Sequence, residues 1–432
     1  MTSLRSTRVA IQGEMRTATV TVEDGSIVAI GGGIADLDFG DLVIMPGLVD
    51  SHVHVNEPGR TDWEGFATAT RAAVMGGCTT IVDMPLNSIP PTVTPAALAE
   101  KRQAAGAGIS CDVAFWGGFI GPFDQLEPLV AAGVCGFKAF LCDSGVDEFP
   151  SVTVDQLAEA MAVMARLGVP ALIHAEDPNR LGRIGDQIRS YSGFLASRPV
   201  ECESAAVRTV VGLASETGAD THVLHVSSGE AATLVGEGPS NLTGETCPHY
   251  LTFAAEEIPD GATQFKCAPP IRTADHREAL WTALADGDLA MVVSDHSPAP
   301  SGLKMANTGD FSRAWGGISS LQLRLPATWT GAVERGLGLG MLVEWLSAAP
   351  ARLAGLDHRK GSIVVGADAD LVVWDPDGVF AVDASALGHR HPLTPYQGLT
   401  LRGTVTTTFL RGEPVFADGV ATPGRGRMLA RR

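Results

Sequence analysis

His52 and His54 are separated by one residue in the run LVDSHVH (48–54). If that run is a β-strand, side chains two apart face the same side, so both imidazoles can grip one metal ion. Other apolar runs carry the same kind of donor near their ends: His174 in PALIHAE (170–176), His225 in THVLHVSS (221–228) and Asp295 in LAMVVSDHS (289–297). Taken singly, each has an ordinary structural reading, a hydrogen-bonded buried imidazole or an aspartate capping the next helix. Taken together, in order along the chain at the ends of such runs, they read as the ligand set of a metal centre. Lys138 adds an unexpected member. The chain has only five lysines, yet this one lies inside VCGFKAFLC (134–142), where a cation is costly unless it snorkels to the rim or is compensated. Three chemistries are open to it: a Schiff-base amine, a simple cation, or a carbamate formed when the neutral amine captures carbon dioxide. Only the carbamate is anionic and bidentate, and so able to bridge two divalent metals among four histidines and an aspartate. His222 lies three residues before His225, on the opposite face of its strand, and reads as structural. His249, in CPHY at the end of a seventh run, points near the site and reads as a substrate contact. Of the remaining histidines, only His296, next to Asp295, has a comparable placement. The chain contains no phosphate loop, no G-x-S-x-G nucleophile elbow and no H-E-x-x-H helix.

These residues need strands to hold them. Eight apolar runs recur between residues 48 and 297: the five named above, TTIVDMP (79–85), CDVAFWGGF (111–119) and NLTGETCPHY (241–250). Helix-patterned stretches lie between them, at 63–75, 95–105, 154–167 and 199–215. Eight strands alternating with helices predict an α/β fold, a (β/α)₈ TIM barrel, whose chemistry gathers at the carboxyl ends of the strands. The flanks differ. Residues 7–46 and 361–417 alternate apolar and polar with glycine-bearing turns, which predicts short antiparallel strands from both chain ends forming a small β-sandwich. The expected division is 1–47 for the first part of that sandwich, 48–356 for the barrel, and 357–432 for its second part and a mobile tail.

Composition narrows the partners. Against 49 Asp and Glu stand 31 Lys and Arg, and the net charge of −18 argues against nucleic acid or an anionic membrane. Apolar residues at 45% suit a folded globule, and no run approaches the length of a membrane span. Without a recognisable signal segment the expected location is cytoplasmic. The seven cysteines form no C-x-x-C pair, so neither structural zinc on sulfur nor a disulfide framework is expected.

Motifs along nearly the whole chain resemble the cyclic amidohydrolases of the amidohydrolase superfamily, which include dihydroorotases, dihydropyrimidinases (hydantoinases) and allantoinases. They are PGLVDSHVHVNEPGR, GGCTTIVDMPLN, GFKAF, LIHAE, ASRPVECESAA, HVSS, CPHY, KCAPPIR, VSDHSP, AWGGI and GADADLVVWD. The set EPGR-x-x-WEG, MPLN, ASRPV, CPHY and AWGGI is most similar to the allantoinases. The resemblance implies a binuclear centre with His52, His54 and Asp295 on one metal, His174 and His225 on the other, and an N6-carboxylysine at Lys138 between them. Zinc is the foremost choice, with iron, cobalt or manganese as alternatives, since His and carboxylate donors discriminate weakly. It also implies that Asp295 moves the proton from the attacking water to the leaving ring nitrogen, and that main-chain groups of Ala268 and Gly316 bind the cyclic amide. In dihydroorotases an arginine two residues after the H-x-H pair grips the substrate carboxylate. Asn56 stands there in this chain, and Asn87 follows Leu86 after the second run. Two asparagines suit a neutral ring with an amide-like arm, as in allantoin, so the expected reaction is opening of the hydantoin ring to allantoate in purine breakdown. The alternatives are a hydantoinase or dihydropyrimidinase, a dihydroorotase, and a non-catalytic scaffold that has lost its metals. Relatives of this kind are commonly homotetramers.

Overall fold

The computed structural model describes residues 1–106 and 108–431. The eight apolar runs become eight parallel barrel strands: Leu48–Val53, Cys78–Asp83, Asp112–Phe115 with its continuation Gly117–Gly118, Phe137–Phe140, Ala171–His174, Thr221–Val223, Leu242–Thr246 and Met291–Val292. Each pairs with its successor, for example Lys138 opposite Leu172 and Val223 opposite Gly244. The ring closes where Val53 bridges His296 and the His54 amide donates to the His296 carbonyl at 2.8 Å. Alternation sets the two faces of each strand. Ile81, Val113, Ala139, Ile173 and Val223 share a core with helix residues Leu98, Leu157, Met161 and Val207. Their chain neighbours Val82, Ala114, Leu172 and Leu224 fall in a second cluster. Lys138, in register with Leu172, therefore belongs to that second face.

The helices start where local chemistry says they should. Pro95–Ala105 opens with Thr94 accepting from the Ala97 amide and with proline at its first position. Val154–Leu167 opens with a capping box between Thr153 and Gln156 and ends at Gly168 in the left-handed region. Phe66–Met75 and Val200–Thr217 match the other two expected helices to within three residues.

Both chain ends contribute to one nine-stranded sheet. Val43–Pro46, just before the first barrel strand, pairs antiparallel with Leu371–Ala381, placing Val43 opposite Trp374. A buried ionic knot ties this sheet to the start of the third barrel strand. Lys360 Nζ lies 2.7 Å from Asp112, 2.6 Å from Asp370 and 2.8 Å from Asp368, and Arg411 also reaches Asp112. Burial would lower the Lys360 pKa, but the three carboxylates outweigh it and raise it above the ordinary value.

The expectation of a mobile tail is corrected. Residues 426–429 run along the third barrel strand: the Val113 amide donates to Arg427, Leu429 donates back to Val113, and the Arg427 amide donates to Asp112. Leu429 is buried, and these bonds satisfy backbone groups on a strand that would otherwise expose them. Arg432 lies outside the described residues.

Reactive groups are kept inside. Four of the five lysines are buried, and Lys266 is partly so. Tyr191, Tyr250 and Tyr396, the only tyrosines, are buried, as are all seven cysteines, which are free thiols. Among the described residues, no helix is long and apolar enough to cross a membrane.

Candidate active site

His52, His54, Lys138, His174, His225 and Asp295 come from five different strand ends and converge at one end of the barrel. An Asp295 oxygen lies 3.3 Å from His52 Nε2 and 3.5 Å from His54 Nε2. Lys138 Nζ is 3.3 Å from His52 Nε2. On the other side, His174 Nδ1 faces His225 Nε2 at 3.0 Å. All six residues are buried. Two of them are held by unusual backbone, His225 at φ 38° and Asp295 at φ 41°. Non-glycine residues rarely adopt this left-handed region, and such strain clusters where a side chain must be aimed.

Burial sets the protonation states. It drives the pKa values of His52, His54 and His225 well below the ordinary imidazole value, with the Lys138 charge adding to the effect at His52 and His54, and His174 adding most at His225. His174 is also lowered by burial, against the opposing pull of Glu176. Four neutral imidazoles present lone pairs. Burial lowers Lys138 and raises Asp295, while the attraction between the two opposes both shifts.

This donor set fits a pair of divalent cations. The Nδ1 of His225 is buried without a hydrogen-bond partner, and His52, His54 and Asp295 lie close enough for one ion to touch all three. Carboxylates stand behind the imidazoles, as they do behind metal-bound histidines generally. Glu245 bonds His52 Nδ1 and also His222 Nε2 at 3.1 Å, so His222 does not turn away from the site as its spacing suggested but shares an inward face with Lys138 and supports His52 through Glu245. Glu176 accepts from His174 Nε2 at 2.8 Å and is held in turn by Arg198 at 2.8 Å. Sequence reasoning missed Glu176 and Glu245. A signal existed for both: Glu176 is two residues after His174, on the same face, and Glu245 is a carboxylate inside a barrel strand, conspicuous for the same reason as Lys138.

The metal-ligand candidates open onto a cavity of about 560 Å³ whose wall includes His54, Asn87, Lys138, His174, His225 and Asp295. Ala268 and Gly316 line it as well. Asn87 Nδ2 lies 3.4 Å from His54 Nδ1. Asn56 and His249 sit behind the wall. Asn56 is buried and donates to the Pro298 carbonyl at 3.4 Å, leaving Oδ1 unpartnered. His249 is buried with both ring nitrogens unpartnered, within ligand range of Asp295 and Cys247. His296 bonds Glu64 at 3.2 Å and serves barrel closure. The mouth is framed by contacts between distant loops. Arg60 donates to the Asn87 carbonyl, pairs with Glu148 and lies over the Trp63 ring, which meets Trp315 edge-on at 4.8 Å.

Comparison with known proteins agrees with this geometry. Residues 43–415 match the model of the Amidohydrolase family. The chain is 51% identical to an allantoinase of Streptomyces avermitilis, over 99% of this chain and 98% of that one. It is 43% identical to an allantoinase of Arabidopsis thaliana, over 96% and 88% of the two chains. The L-hydantoinase (dihydropyrimidinase) from Arthrobacter aurescens superposes on it with a TM-score of 0.92 at 30% identity, covering both chains completely. The barrel, the six converging donors and these matches lead to one conclusion: the chain belongs to the amidohydrolase family.

Proposed function

We propose that this protein hydrolyses allantoin to allantoate through a centre of two divalent metal ions, zinc foremost. The observation that carries the reading is the convergence of six ligand-type side chains in a chain that resembles allantoinases along almost its whole length. His52, His54 and Asp295 would hold one ion and His174 and His225 the other, and Lys138, as a carbamate, would supply a further anionic ligand. Burial supports the carbamate because it favours the neutral amine, whose lone pair attacks carbon dioxide and whose N–H proton is then released. The ions, when bound, supply a low-pKa water and polarise the ring carbonyl.

The rest of the chemistry belongs to the chain. Asp295, its carboxyl raised by burial and steadied by the Ser297 hydroxyl at 3.0 Å, takes the proton of the attacking water and delivers it to the ring nitrogen as the C–N bond breaks. Glu245 and Glu176 hold the His52 and His174 rings in orientation. Ala268, Gly316 and Asn87 contact the substrate from the cavity wall, and Asn56 and His249 shape it from behind. We further infer a homotetramer, in keeping with the resemblance to relatives of that kind, and a cytoplasmic location.

A panel of allantoin, hydantoin, dihydrouracil and dihydroorotate, given to metal-loaded protein, tests the assignment. Allantoin is expected to show the highest kcat/KM; equal or faster turnover of another member refutes it. The carbamate is tested by Lys138→Ala, expected to lose bound metal and activity together and to recover part of both with added short-chain carboxylic acids. Full activity in the unsupplemented variant removes Lys138 from the centre.

A further inference from the structure

Lys266 is the one lysine besides Lys138 on the cavity wall. Its Nζ donates to the Ala314 carbonyl at 2.6 Å and lies 5.4 Å from the centre of the Phe194 ring. Ala314 and Phe194 line the same cavity. An ammonium has three N–H donors, and this arrangement uses one of them. Among the described residues Lys266 forms no ion pair with a carboxylate, unlike Lys101, held by Asp83, and Lys360, held by three aspartates. The other cations on the wall are differently placed: Arg198 is tied to Glu176, and Arg313 is exposed. Burial pulls the Lys266 pKa down to about 8, with Arg198 adding to the effect and the Asp310 charge opposing it.

A half-buried cation that touches no carboxylate, with only the more distant Asp310 charge against its desolvation, is costly unless a ligand supplies an acceptor. The segment that carries it is rigid. The Lys266 carbonyl accepts from the Gly317 amide at 2.8 Å and from Lys304 Nζ at 3.2 Å, and Lys304 also donates to the Trp315 and Gly317 carbonyls. Lys266 and Ala268 line the same cavity, so the arm of a ring held at Ala268 shares the space that Lys266 borders.

Resting on the reading above, we propose that Lys266 is a specificity-determining residue, donating a charge-assisted hydrogen bond to the exocyclic ureido carbonyl of the substrate. A urea oxygen is a strong neutral acceptor, and the Phe194 face beside the ammonium offers a flat surface to the planar arm. Unsubstituted hydantoin has no such arm and gains nothing from the contact.

The test compares wild type, Lys266→Met and Lys266→Arg on allantoin and on hydantoin, with Tm and metal content recorded for each. In Lys266→Met the kcat/KM for allantoin is expected to fall tenfold to a hundredfold, roughly the worth of one charged hydrogen bond, chiefly through KM. Hydantoin turnover is expected to stay within about threefold of wild type, because that substrate never makes the bond. Lys266→Arg is expected to recover most of the loss. A purely structural lysine would depress both substrates alike, and that outcome, or no change on either, overturns the proposal while leaving the allantoin assignment standing. Wild-type protein inactive on allantoin overturns both. If Lys266→Met fails to fold, Lys266→Gln replaces it in the same comparison.

Discussion

Glu176 accepts hydrogen bonds from His174 and Arg198 while being fully buried. Burial alone would raise its pKa, but the Arg198 charge and the His174 bond outweigh that and hold it at about 2, against an ordinary 4.5. A carboxyl depressed on folding contributes stability that is complete above pH 4.5 and is lost as the pH falls towards 2. In Glu176→Gln the mostly buried Arg198 loses its counter-charge, at a cost on the order of 2 kcal/mol. The Tm gap between wild type and variant is therefore expected to be constant above pH 4.5 and to narrow below it, as followed by thermal denaturation at a series of pH values. Lys138 was legible in the sequence because a cation inside an apolar run has few innocent explanations. Glu176 and Glu245 were overlooked because acids are common in the chain, and only strand alternation distinguishes these two from the solvated majority. The inward burial of Asn56 and His249 could not be read at all. It depends on Pro298, beside Asn56, and on Asp295, beside His249, each near its partner in space alone.

At the scale of elements, the site is fixed by how loops from separate strands meet. Gly317, at φ 144°, lets its chain pass so close to the loop of Asp295 that an added Cβ would stand 2.2 Å from the Ser297 carbonyl. That contact leaves no room for a side chain, and Ser297 in turn bonds Asp295. Gly317→Ala is expected to displace the Ser297 backbone and lower kcat/KM at least tenfold, about 1.4 kcal/mol in the barrier, as measured by steady-state kinetics. A variant with wild-type kinetics would show that the two loops are not mechanically joined. The strands themselves were legible: a β-branched run closed by a polar residue is hard to mistake, and four expected helices appear nearly to the residue. The loop contacts were not. Arg60 with Glu148 and Trp63 with Trp315 join positions far apart in sequence, whose pairing no local pattern announces.

For the molecule as a whole, the C-terminal part of the terminal sheet is joined to the barrel by the Lys360 knot. Lys360→Met would leave Asp112, Asp368 and Asp370 crowded without their shared cation, costing about 3 kcal/mol. The expected outcome is a clear drop in Tm with kcat on allantoin unchanged at room temperature, since none of these residues lines the cavity. A fall in kcat with intact Tm would mean that the sheet reports on the site directly. That both ends would form strands was legible from their alternation. The docking of residues 426–429 was not, because a segment of four residues is too short to show a pattern, and its partner Val113 lies more than 300 positions away.

Enclosure of the tyrosines has an optical consequence. Burial raises all three phenols well above their ordinary pKa and raises the seven thiols too. Alkali therefore finds no surface phenol to ionise while the fold persists. Phenolate absorbance stays silent until the chain opens and then rises in one step, which gives the protein an intrinsic ultraviolet signal for its own unfolding.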